Sequence, residues 1–208
     1  MTENKRHFQM LRSYTLADLF TLGNAACGTA SLFFCLEYLA GGNQKPMLWP
    51  AFWLLTIALV CDVLDGYVAR KRQSHSLIGA DLDSLADIVS FGVAPAVIGY
   101  TLGLRTGWDI LCLIYFILCG ISRLARFNVT AEDLAGESGK VKYFEGTPIP
   151  TSLVIVIILG IAFYLDHTGS KLWFGLVQLP LWSFHPISIL YVLSGSAMIS
   201  GTLRVPKP

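Results

Sequence analysis

Charge is scarce in this sequence: Asp, Glu, Lys and Arg make up 14% of 208 residues, against about a quarter in ordinary soluble domains. So little charge cannot coat a water-soluble globule, and a chain that is 54% hydrophobic is not a disordered one. Neither sign is in excess. Fifteen Lys+Arg stand against fourteen Asp+Glu, a net charge of +1, so whole-chain charge names no partner and its placement must; the scarcity of charge itself argues against a nucleic-acid binder. Paired cysteine motifs are missing too. Cys27, Cys35, Cys61, Cys112 and Cys119 all lie in apolar runs, with no CxxC and no Cys/His cluster. An odd count without that spacing argues against a disulfide framework or a zinc site. There is no internal repeat and no low-complexity tract. The first apolar run lacks a small-residue cleavage site and carries Asp18 and Asn24, so it reads as a retained helix, not a removed leader.

What is present is long apolar runs, with a mean hydropathy of +0.59. Six stretches have the length to cross about 30 Å of hydrocarbon as helix: 18–40, 49–70, 79–103, 108–127, 149–166 and 184–203. The expected fold is an all-α polytopic membrane protein of six transmembrane helices. It forms one domain over 1–208, with 1–17 as an N-terminal cytoplasmic or interfacial segment. Residues 8–17 have the composition of a short amphipathic lead-in. Leu172–Trp182 is apolar but holds Gly175 and Pro180 and is too short to span, so it reads as interfacial. Six crossings put both termini on one side. Twelve of the fifteen Lys+Arg then fall on that side (the two tails, the 70–79 and 127–148 connections, and Arg123 and Arg126 at the end of the fourth span). Only Lys45, Arg105 and Lys171 fall opposite. That bias places the termini and both connections in the cytoplasm. The five tryptophans fall near the other ends of the spans, as an interfacial belt would.

Five of the nine aspartates lie between 62 and 87. An acid inside a membrane helix is costly and marks a functional site by default. Asp62 and Asp65 are three apart near the end of the second span, and Asp83 and Asp87 are four apart near the start of the third. Each pair shares a helical face. The short connection makes the two helices antiparallel neighbours, so four carboxylates converge at one depth. Such a cluster repels itself strongly unless some acids are protonated or divalent cations sit among them. All-oxygen ligands suit Mg²⁺ or Mn²⁺, and four carboxylates are enough for a pair of ions of the kind that serve phosphoryl transfer. A cation or proton pathway is the alternative reading. Asp81 lies about 200° around the helix from Asp83 and is left out; a helix N-terminal position accounts for it. Gly66, Ala69 and Gly79 lack bulk near the acidic face, which permits close helix packing or leaves room for a ligand. Arg70 follows one turn after Asp65 and can reach a phosphate.

Together, residues 62–87 fill every fixed position of D-x2-D-G-x2-A-R-x8-G-x3-D-x3-D. The chain thereby resembles the CDP-alcohol phosphatidyltransferases. The resemblance implies a six-helix membrane enzyme, usually a homodimer, using two Mg²⁺ or Mn²⁺ ions. Such an enzyme transfers a phosphatidyl group from a CDP-linked donor to an alcohol and releases CMP. It implies Asp62, Asp65 and Asp83 as metal ligands, and Asp87 as general base in contact with metal. It further implies Asp62, Gly66, Ala69, Arg70 and Gly79 around the CDP-diacylglycerol.

SLADIVSFGVAPA (84–96), GISRLARFN (120–128), YFEGTPIP (143–150) and FHP (184–186) resemble the serine-using subgroup of that family. Thr147 stands where the subgroup often has Leu. The subgroup implies CDP-diacylglycerol and L-serine as substrates. Serine is a zwitterion, and Arg123 and Arg126, three apart on one face, can hold a carboxylate or phosphate. Asn128 and Glu145 are candidates for the ammonium group. No Ser or Cys nucleophile stands out, so direct displacement is expected. Other acceptors (glycerol 3-phosphate, an inositol species, choline) are open to the signature. A bacterial inner membrane is the expected location, or the endoplasmic reticulum in a eukaryote, with the active site cytoplasmic. His75 reads as a solvated loop residue, and His185 as a residue at the membrane edge with no chemical role.

Overall fold

The structure, a computed structural model, describes residues 15–72, 77–136, 143–201 and 204–206. Helix α1 (Leu16–Ala40) opens on a reciprocal cap. The Thr15 amide donates to Asp18 Oδ2 at 2.6 Å and the Asp18 amide to Thr15 Oγ1 at 3.3 Å, which satisfies two of the donors that a helix start leaves free. Asp18 thus has a local reason to sit in an apolar helix. A turn through Gly42 and Asn43, both at positive φ, reverses the chain into α2 (Lys45–Arg72). The Ser31 hydroxyl of α1 donates to the Ala51 carbonyl of α2 at 3.0 Å, so the two helices lie close along their length.

The third apolar run is helical from Leu77 to Leu102 but not uniformly α. Helix α3 (Leu77–Asp87) passes into a π-helical segment, Ile88–Val93, and then into α4 (Ala94–Leu102). The Ala94 amide reaches the Val89 carbonyl, five residues back. Each donor in the wide turn keeps a carbonyl, as a helix in hydrocarbon must. This run is the centre of the bundle: 67% of its apolar window is buried, against 28% for each of the other three long helices. Phe91 and Ile98 are fully enclosed. Around them pack α5 (Gly107–Gly136), α6 (Leu153–Tyr164) and α7 (Ile189–Ile199). Phe116 of α5 and Tyr191 of α7 meet edge to face at 5.3 Å, and the Tyr191 hydroxyl donates to the Pro95 carbonyl at 2.7 Å. The outer faces carry Phe33, Leu36, Trp53, Val63, Leu118 and Ile157, all exposed. That is an apolar exterior suited to lipid, not to water.

Among the described residues, four helices are long and apolar enough to cross a membrane: Leu16–Ala40, Lys45–Lys71, Gly79–Leu102 and Gly107–Val129. The two remaining apolar helices, Ile149–Tyr164 and Pro186–Ile199, are shorter than eighteen residues. At about 1.5 Å per residue they reach roughly 21–24 Å, less than the hydrocarbon thickness. Both begin with a 3₁₀ turn at a proline-containing corner, which takes residues out of the expected spans. Nor is the described chain wholly helical. Tyr143–Glu145 (β1) pairs antiparallel with Arg204–Pro206 (β4), and Val177–Gln178 (β2) with Ser183–Phe184 (β3). The first ribbon ties the connection before α6 to the chain after α7. The second closes a hairpin over 177–184; Leu181 at its tip and Phe174 just before it are strongly exposed, in keeping with an interfacial position.

His185 departs from its expectation. It is buried, its Nδ1 lies 2.7 Å from Asp109 Oδ2, and its backbone amide donates to Asp109 Oδ1 at 2.9 Å. Asp109 also caps α5 by accepting from the Thr106 amide. One carboxylate therefore ties the start of α5 to the corner before α7. The lead-in over 8–14, His75, Lys140 and Lys142 lie outside the described residues.

Gly28 sets how closely α1 approaches the π-helical segment. A Cβ there would sit 2.3 Å from Ser90 Oγ and 2.8 Å from Ser90 Cα. The second is backbone and cannot swing aside. Gly28→Ala is expected to part the two helices, at about 1–3 kcal/mol for an overpacked contact. In detergent it should lower the melting temperature by roughly 5 °C; an unchanged melting curve would mean that the contact is looser than described.

Candidate active site

The start of α1, the end of α2, the start of α3 and the end of α5 all lie at one end of the bundle, because consecutive long helices run in opposite directions. The polar residues of the apolar chain collect there. Carboxylate oxygens of Asp62, Asp83 and Asp87 lie within 4.8 Å of one another. Asp87 is buried and Asp62 and Asp83 are half-buried. The sequence spacing of three and four therefore does bring acids from two helices to one point.

Asp65 is placed differently from the other three. It is buried and turned toward α1, where it accepts from the Thr21 hydroxyl at 2.9 Å. It remains within electrostatic reach of Asp62 and Asp83. Two further polar residues join the cluster, neither of them among the expected site residues. Asn24, fully buried on α1, donates from Nδ2 to Asp87 Oδ1 at 3.1 Å. Ser90, in the π-helical segment, donates to the Asn24 carbonyl at 2.9 Å. A signal for Asn24 was present: it is a carboxamide in the middle of an apolar span, where an unpartnered amide is costly.

Beside Gly66, among the described residues, a Cβ would meet only the Arg70 side chain, at 3.5 Å. Arg70, exposed on α2, thus folds back over Gly66. Ala69 and Gly79 are half-buried on the same two helices. From α5, Arg123 lies within electrostatic reach of Asp87, and its buried Nε has no hydrogen-bond partner among the described residues. Arg126 is exposed. Asn128 is engaged on both sides: its Oδ1 accepts from Ser84 at 3.1 Å and its Nδ2 donates to Asp81 Oδ1 at 3.2 Å. Asp81 accordingly faces α5, away from the carboxylate trio. Glu145 lies in β1, and its side chain is outside the described residues.

A divalent ion fits this donor set. Asp83 Oδ1 is buried and accepts no hydrogen bond among the described residues. Carboxylates about 4 Å apart repel by several kcal/mol at a surface-like dielectric constant, and the ligand atoms are all oxygen, the preference of Mg²⁺ and Mn²⁺. A bound divalent ion would relieve that repulsion and give the Asp83 oxygen a partner.

Comparison with known proteins agrees with this chemistry. Residues 14–184 match the family model described as CDP-alcohol phosphatidyltransferase. A Saccharomyces cerevisiae protein named CDP-diacylglycerol–serine O-phosphatidyltransferase is 41% identical over 210 residues, covering all of this chain and 76% of its own. One of the same name from Methanocaldococcus jannaschii is 34% identical over 200 residues, 96% of this chain and 78% of its own. An archaetidylserine synthase from Methanothermobacter thermautotrophicus is 36% identical over 160 residues, 76% of this chain and 60% of its own. A match over most of the chain, with acids brought together where the signature requires them, has one meaning: the chain belongs to the CDP-alcohol phosphatidyltransferase family.

Proposed function

We propose that this protein transfers the phosphatidyl group of CDP-diacylglycerol to the hydroxyl of L-serine, giving phosphatidylserine and CMP. The observation that carries the reading is the trio Asp62, Asp83 and Asp87, drawn from two antiparallel helices at one end of an apolar bundle. Relatives of the same name cover nearly the whole chain. Asp62, Asp83 and Asp87, with Asp65 beside them toward α1, would hold Mg²⁺ or Mn²⁺, two ions in the full complement. Bound there, the metal would supply neutralisation of the diphosphate and of the departing CMP.

This chain's own residues do the rest. Gly66, Ala69 and Gly79 leave room for the nucleotide, and Arg70 reaches over Gly66 toward its phosphates. Arg123 presents a cation beside Asp87, placed to receive the serine carboxylate. Arg126 extends the cationic edge. Glu145 is read as lying on the ammonium side of the pocket; Asn128, held by Ser84 and Asp81, is left out of it. Asp87 takes the proton of the serine hydroxyl. The serine oxygen bonds to the phosphorus attached to glycerol, and the bond from that phosphorus to CMP breaks. A serine hydroxyl is a poor nucleophile at neutral pH, so a base beside the reacting oxygen is required.

In this reading the two shorter helices also cross the bilayer, giving six crossings, and the protein works as a homodimer. The acidic end and both termini face the cytoplasm, in a bacterial inner membrane or in the endoplasmic reticulum of a eukaryote. The twelve-to-three division of Lys and Arg supports the sidedness. An acceptor panel tests the function. Purified protein with CDP-diacylglycerol and Mg²⁺ or Mn²⁺ is offered L-serine, glycerol 3-phosphate, inositol or choline. CMP release should be at least about 100-fold faster with serine, since a pocket built for a zwitterion leaves polar groups unpaired with the others. Faster release with another alcohol would reassign the acceptor.

A further inference from the structure

Helix α1 contributes no acid to the cluster, yet it meets both acid-bearing helices there. Thr21 donates to Asp65 of α2, and Asn24, three residues on, donates to Asp87 of α3. Asn24 is wholly buried, so its carboxamide is not in the site by accident of solvent exposure. It is held from behind as well. Ser90, one turn after Asp87 and in the π-helical segment, donates to the Asn24 carbonyl at 2.9 Å, and Gly28 lets α1 come close enough for that bond. Side chain and backbone of Asn24 thus engage the same helix at two points, Asp87 and Ser90.

A carboxylate has two oxygens and rotates freely unless one is tethered. Asn24 Nδ2 takes Oδ1 of Asp87, which fixes the plane of the carboxylate. Asp62 and Asp83 oxygens lie within 4.8 Å of it. A tether on one oxygen leaves the other to face the reacting hydroxyl. Misplacing a base by about 1 Å costs on the order of 100-fold in rate.

We propose that Asn24 is a positioning residue for Asp87, acting on the reaction only through the orientation of that carboxylate. The inference rests on the reading of Asp87 as the base. Asn24 does not touch substrate; it holds the group that does.

The test is a double-mutant cycle. Asn24→Leu keeps the volume and suits an apolar helix; Asn24→Asp keeps the shape and removes the donor. Each is purified in detergent, and its melting temperature is taken in EDTA and in excess Mn²⁺. kcat and both KM values are measured by CMP release, with labelled serine for slow variants. The expected result is a kcat lowered about 30- to 300-fold in both variants, KM for CDP-diacylglycerol changed less than threefold, and a melting temperature in EDTA like that of the parent. In the Asp87→Asn background, Asn24→Leu should lower the residual rate by less than twofold. A full additional loss there would overturn the proposal, as would kcat within threefold of the parent in the single variants. Loss of fold in both variants would also overturn it, because Asn24 would then serve helix packing. Near-parental turnover in Asp87→Asn alone would instead remove the base reading on which the proposal stands, and the two failures are therefore distinct.

Discussion

Asp87→Asn is expected to insert, fold and bind CDP-diacylglycerol, yet to release CMP in the presence of serine at least about 10³-fold more slowly. Asp87 is 8% exposed, and an amide has nearly the shape of the carboxylate it replaces, so the packing around it survives. Its contact with Asn24 is also conserved in form, because the new side chain can still accept from Asn24 Nδ2. What disappears is a proton acceptor. A positioned general base contributes about 10²- to 10⁴-fold, and the carboxylate cluster loses one negative charge as well. A serine-dependent rate within tenfold of the parent would show that the proton leaves by another route. Because the other signature acids are untouched, metal-induced stabilisation of this variant should be weakened and not abolished, which separates a lost base from a lost site.

Removal of divalent ions is expected to stop turnover altogether, with recovery on adding Mg²⁺ or Mn²⁺. The reasoning runs through folding as well as chemistry. Three carboxylates within 4.8 Å oppose the packing of α2 against α3, and a bound cation reverses that opposition. An ion held a hundredfold above its Kd stabilises the folded form by about 2.7 kcal/mol, or roughly 5–10 °C for a chain of this size. Melting in EDTA and then in excess Mn²⁺ reads this directly. Asp83→Asn should flatten the shift, since Asp83 Oδ1 is a buried carboxylate oxygen that accepts no hydrogen bond among the described residues. Full activity after exhaustive chelation, or identical melting curves with and without metal, would contradict the reading.

The acids were legible in the sequence because two constraints coincide. Charge is expensive in hydrocarbon, so each aspartate stands out against its apolar run, and spacings of three and four fix the face on which it lies. Asp81 was separable from Asp83 on the same helical arithmetic, and it does face Asn128 on α5. The long helices were legible for a similar reason: apolar length alone identifies them. The π-helical turn was not legible, since SFGV reads equally well as ordinary helix and the widening depends on neighbours distant in sequence. The roles of Thr21 and Asn24 depend on how α1 leans on two other helices, and no local pattern encodes that. Asp65 bonds Thr21 instead of joining the closest trio because a hydroxyl on α1 lies within reach, which periodicity cannot show. The Asp109–His185 pair spans 76 residues, and neither residue carries a local signal of the other. The short ribbons escaped as well, since two- and three-residue strands are set by which segments meet at the bundle ends.

The widened turn after Asp87 has a consequence for how the gene can vary. A π-helical stretch carries more residues per turn than the α-helix on either side of it, so it acts as a phase adjuster between two halves of one rod. Upstream, the phase is set by the acids; downstream, by Phe91, Ile98 and the carbonyl of Pro95 that receives Tyr191. Loss or gain of a single codon there would turn one half against the other by about 100°, putting either the chemistry or the core on the lipid side. Codon number between Asp87 and Pro95 is therefore under tighter constraint than the identity of most residues it encodes.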